Sequence, residues 1–66
     1  MHNATTTTRL AKRAEIQRRA YLLAGLAGVD PRTALGALEH GLRHVRKHAV
    51  RASIAAAAET LGIELP

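Results

Sequence analysis

The chain has 66 residues, a net charge of +5 and an isoelectric point near 11.2, so a polyanionic partner such as nucleic acid is expected. A core of this size rarely contributes more than ~3–5 kcal/mol. With no cysteine, and a single Tyr as the only aromatic, disulfide and thiolate–zinc staples are excluded and the core must come from Leu, Ile, Val and Ala.

Residues 1–7, MHNATTT, are polar and Thr-rich and read as a flexible N-terminal arm. This start lacks the charged and apolar regions of a signal peptide, and no apolar run approaches the ~20 residues that span a bilayer. A cytoplasmic protein is therefore expected. Residues 8–66 read as one domain. Good helix formers dominate residues 8–27, where Ile16, Ala20, Leu23, Ala24 and Ala27 share one helical face. Gly28 then stands where a helix-ending glycine belongs.

Asp30 followed by Pro31 is a helix-start signal, a capping carboxylate and then proline at the first helical position. The second helix is expected over about residues 31–40, with Ala34 and Leu38 inward and Gly41 ending it. Gly41 to Val45 reads as a connection. A third helix is expected over about residues 46–61, with Val50, Ile54, Ala57, Ala58 and Leu61 on one face. Gly62 stops it, and Ile63-Glu64-Leu65-Pro66 is a short apolar tail. The small side chains of Ala55 to Ala58 should let this helix pack across the other two. Nothing alternates with period two, so the fold class is all-α: a long N-terminal helix, a recognition helix and a C-terminal packing helix.

The stretch LLAGLAGVDPRTALGAL raises the question of what the corner between the first two helices is for. A helix-turn-helix needs a small residue where the helices cross, Gly at the turn and an aliphatic residue after it. Ala24, Gly28 and Val29 meet those needs. With Ala34 and Leu38 inward, Arg32, Thr33, Leu35, Gly36 and Glu39 fall wholly or partly outward. A basic cluster follows, comprising Arg43, His44, Arg46, Lys47, His48 and Arg51. Cations at the start of a helix oppose its dipole unless an anion is present, which makes Arg43, Arg46, Lys47 and Arg51 phosphate-contacting candidates. Arg18 and Arg19 on the first helix join them.

Leu23-Ala24, Ala27-Gly28-Val29, Thr33 and Leu38, continued by Val50 or Arg51, Ile54, Ala58, Leu61-Gly62-Ile63 and Leu65-Pro66, resemble the DNA-binding headpiece of the lactose-repressor family and related small phage- and plasmid-type helix-turn-helix regulators. The resemblance covers about residues 19 to 66. It implies that the second helix lies in the major groove, with Pro31, Arg32, Leu35 and Gly36 at base-reading positions and Thr33 donating to a phosphate. Arg32 is the most informative, since a guanidinium pairs with guanine O6 and N7 through two hydrogen bonds. The chain departs from the family in having Leu35 and Gly36 where polar readers are usual. It also has Gln17-Arg18-Arg19 where the family caps the start of its first helix, so here that helix should continue upstream. The family's ligand-binding domain has no counterpart in 66 residues, and no small-molecule effector is expected.

Leu10, Ala14, Tyr21, Leu22 and Leu26 form a second, broken apolar surface on the first helix. It serves either a homodimer contact or packing against the Ile63–Leu65 tail, and periodicity alone leaves both open. The arm, with Arg9, Lys12 and Arg13, is placed to reach DNA or to stay unstructured. His40, His44 and His48 recur every four residues, but Gly41 interrupts any shared helix and no Cys completes a site, so no metal and no cofactor are expected. Ser53 lacks the strand-to-turn setting of a nucleophile, and the glutamates are dispersed, so an enzyme is not expected. The function so read is sequence-specific binding of double-stranded DNA by a nucleoid-associated homodimeric transcriptional repressor on a palindromic operator. The alternatives are a protein-interaction module (antitoxin or adaptor) and a sequence-indifferent chromosome-coating protein.

Overall fold

Three helices and a short 3-10 turn account for most of the chain: α1 (Ala4–Ala27), α2 (Pro31–His40), the 3-10 turn Leu42–His44, and α3 (His48–Leu61). The computed structural model describes residues 4–66, with side chains described from residue 11 onward. Among the described residues there is no strand, and the fold is all-α as the sequence leads one to expect.

The helix α1 begins at Ala4, four residues before the expected start, so residues 4–7 of the expected arm are helical and residues 1–3 lie outside the described residues. Threonine is a middling helix former and not a breaker, and no Gly or Pro intervenes to stop the helix extending through it. At its other end Gly28 takes φ +70°, and the Val29 N–H donates to the Ala24 carbonyl at 3.0 Å. The same device ends α3, where Gly62 takes φ +70° and the Ile63 N–H donates to the Ala58 carbonyl at 2.8 Å. In both, a left-handed glycine satisfies carbonyls that the helix end would orphan, and an aliphatic residue follows to cover them.

Asp30 caps α2 from an extended conformation, accepting a hydrogen bond from the Arg32 backbone N–H at 2.8 Å, and Pro31 opens the helix. The start of α3 is plainer. Lys47 precedes it with no side-chain cap, because an ammonium has no acceptor to offer, and the helix begins at His48 rather than Arg46. The intervening residues close the 3-10 turn instead, with the Val45 N–H donating to the Leu42 carbonyl at 2.9 Å. Val45 is buried as a result, an apolar plug within an otherwise cationic loop.

Both α2 and α3 pack on α1, while α2 and α3 meet chiefly through the 3-10 turn. Of the α3 alanines expected to pack across the other two helices, Ala57 and Ala58 are buried in one cluster with Leu23 and Ala24 of α1 and Ala34 and Ala37 of α2. Ala55 is half-buried and Ala56 is exposed. Among the described residues, Leu23 and Ile54 are the only large side chains buried completely, and around them Ala24, Ala34, Ala37, Val45, Ala57 and Ala58 complete the core. Small residues at these positions let helix axes approach closely. Leu38 and Val50 pack against the core while only partly buried, and Leu61 stays exposed. Ile16, expected inward, is 39% exposed. From residue 11 onward, the first buried residue of α1 is Ala20. Its earlier turns project past the other helices, which helps explain the elongated 48 × 19 × 18 Å envelope.

Candidate nucleic-acid interface

The helix corner and the loop before α3 enclose a shallow groove of about 560 Å³ lined by Gly28, Val29, Asp30, Arg32, Thr33, His44, Val45, Arg46, Lys47 and Val50. Gly28 turns the chain, Asp30 fixes the start of α2, and the first turn of that helix then projects Arg32 along one wall. Opposite, the closing of the 3-10 turn on Val45 leaves Arg46 and Lys47 exposed. Arg32, Arg46, Lys47 and the His44 imidazole thus line the groove with a single carboxylate, Asp30, which gives it positive potential.

That carboxylate is already engaged. The Arg32 backbone N–H holds the Asp30 carboxyl below its ordinary pKa, with the Arg32 side chain adding to the effect. The guanidinium Nε lies 3.4 Å from Asp30 Oδ1, but the Arg32 side chain is 92% exposed. An ion pair this open is weak, and the guanidinium is free to exchange partners.

Of the sequence-derived base-reading positions, Pro31 and Arg32 are exposed at the start of α2. Of the other two, Leu35 is partly outward as expected and Gly36 is not. Leu35 is half-buried and lines a separate groove with Lys12, Arg13, Ile16, Gln17 and Glu39 on the α1 side. Gly36 is buried, because the ring of His44 lies over it.

The phosphate-contacting candidates divide as well. Thr33, Arg46 and Lys47 share the main groove, and Arg43 lies in the adjoining one with Glu39, His40, His44 and Pro66. Arg51 is half-buried, outside the groove lining, and its Nε is buried without a hydrogen-bond partner. Arg18 and Arg19 are elsewhere. Both pair with Glu15, at 3.4 and 3.3 Å, and line a groove with Leu22 and the Leu61–Glu64 segment. The spacing of Glu15 three and four residues before them already signals those pairs.

On the second surface of α1, Ala14, Tyr21, Leu22 and Leu26 are all exposed, Tyr21 by 67%, and the Leu10 side chain lies outside the described residues. Leu22 borders the Leu61–Ile63 end of the chain, while Ile63 and Leu65 pack on the core. Leu22 nevertheless stays as exposed as Leu26, so the tail covers little of this surface and Tyr21, Leu22 and Leu26 remain open.

His40 and His44 face one another with ring centroids 5.0 Å apart and planes tilted by 44°. The groove residue that the sequence signals least is Val45, legible only as a lone β-branched residue in a cationic run. Among the described residues, no group of three His, Cys, Asp or Glu side chains is arranged to hold a metal, and no helix is long and apolar enough to cross a membrane. Compared with known proteins, the chain matches no family model, no curated protein and no solved structure.

Proposed function

We propose that the chain is a double-stranded DNA-binding regulator that acts as a homodimeric repressor on a palindromic operator. The observation that carries this is the capped corner at Gly28–Asp30, which sets Arg32 and Thr33 at an exposed helix start beside Arg46 and Lys47. Arg32 reads a base edge, and Thr33, Arg43, Arg46 and Lys47 engage phosphates on either side. Cations flanking the helix start add affinity at any sequence, so binding falls steeply with salt. Repression is steric, by occupancy of the operator.

The uncharged patch of Tyr21, Leu22 and Leu26 supports self-association. These apolar side chains offer area for a second copy to bury, with Arg18 and Arg19 beside Leu22 already paired to Glu15. They supplement a core in which, among the described residues, two large side chains are fully buried. A second reading, sequence-indifferent coating of DNA, is favoured by one observation: Gly36 is covered and Leu35 is a half-buried apolar side chain on the α1 side, so neither offers a polar reader beside Arg32.

Selection from a random pool of double-stranded DNA at physiological salt tests these readings. The expected result is an inverted repeat with half-sites about one helical turn, roughly 34–36 Å, apart. Strong retention of an unenriched pool establishes the coating protein instead. No retention at all points to a protein partner.

A further inference from the structure

Residues 32 and 36 are one helical turn apart and occupy the same face of α2, so a side chain at 36 would stand beside Arg32. Gly36 has none, yet the space is filled. A Cβ on residue 36 would lie 2.7 Å from His44 Cδ2 and 3.2 Å from His44 Nε2. The imidazole of the 3-10 turn therefore sits where a reader on α2 would begin. It is exposed, it lines the main groove together with Arg32 and Thr33, and its centroid lies 5.0 Å from that of the His40 ring. Seated against Gly36 and beside His40, the ring is positioned in advance of any contact.

We infer that His44 is a base-reading residue, supplying from the turn the side chain that α2 lacks at Gly36. This rests on the DNA-binding reading above. An imidazole carries an N–H donor in either protonation state, which suits a purine edge in the major groove, where N7 accepts. Glycine at 36 is then a requirement of the site, since any Cβ there evicts the ring.

The test repeats the pool selection on the purified full chain, the His44→Ala variant and the Gly36→Ala variant, with thermal melts of each. His44 is not part of the core, and Gly36→Ala meets only the movable ring while improving helix propensity, so both variants should fold. The expected outcome is that both lose roughly tenfold discrimination at the same base pair of each half-site, with other positions unchanged. Gly36→Ala should do so without a lower melting temperature. An unchanged preference in His44→Ala, or weakening spread evenly over all positions, overturns the inference and leaves the DNA-binding reading standing. Full preference in Gly36→Ala shows that the ring's seat over residue 36 is not what reads, and also overturns it. A wild-type chain that binds without preference, or does not bind, overturns both.

Discussion

Asp30 and Arg32 are joined twice through one oxygen: the Arg32 backbone N–H donates to Asp30 Oδ1 at 2.8 Å, and the Arg32 Nε lies 3.4 Å from the same atom. The residue that starts α2 is therefore also the one that tethers the guanidinium at its exposed end. Structural capping and the orientation of the proposed reader have a common origin, and they separate by mutation and by pH.

The Asp30 carboxyl has its pKa lowered in the folded chain, chiefly by the Arg32 backbone hydrogen bond. Its contribution to stability is thus complete above the pKa of the unfolded chain and is lost as pH falls through the lower, folded value. Melting temperature should drop across this acid range. Asp30→Asn keeps a capping oxygen but has no proton to gain, so its melting curve should depend less on pH there. Equal acid dependence in the two proteins would place the titrating group elsewhere.

Arg32→Ala and Lys47→Ala should fail differently. Loss of Arg32 relaxes preference at one base pair by roughly 1–3 kcal/mol. Loss of Lys47 weakens binding evenly over all sequences and lowers the salt slope by about 0.9, the share of one phosphate. Titrations of specific and scrambled duplexes at several salt concentrations distinguish them.

Leu23→Ala should cost about 2–5 kcal/mol, because Leu23 is fully buried and its alanine neighbours cannot reach into the space left behind. A small domain has little more stability than that to lose. Urea titration should find the variant largely unfolded in water at 25 °C.

Gly25 and Gly28 lie three residues apart and should respond with opposite signs. Neither would bring a Cβ within 4 Å of any neighbour, so space decides nothing. Gly25 is helical, and Gly25→Ala should stabilise the fold by about 1 kcal/mol through helix propensity. Gly28 takes φ +70°, where an L side chain is strained, and Gly28→Ala should destabilise it by about 1–2 kcal/mol. Thermal melts of the two variants read the difference directly.

Local chemistry was legible in the residues themselves. Asp30-Pro31 and the glycines at 28 and 62 mark helix boundaries because a cap, a fixed proline φ and a left-handed glycine act within one or two turns of chain. The inward faces carried by Ala20, Leu23, Ala34 and Ile54 were legible for a similar reason, since helical period alone aligns them. What periodicity cannot state is how far a neighbouring element extends. Ile16 shares the inward face of α1, yet the helices that bury Ala20 and Leu23 leave it 39% exposed. Gly36 lies on the outward face of α2 by spacing, yet it is buried by a ring eight positions later in the chain. Burial is decided by what stands opposite, and that depends on where Val45 anchors the turn and where α3 begins. The sequence by itself determined the three helices, the Asp30 cap, the closing glycines at 28 and 62 and the basic character of the chain. Only the tertiary structure decided which cations converge on one groove, because Arg32, Arg46 and Lys47 meet through packing between elements and Arg18 and Arg19 are held away with Glu15.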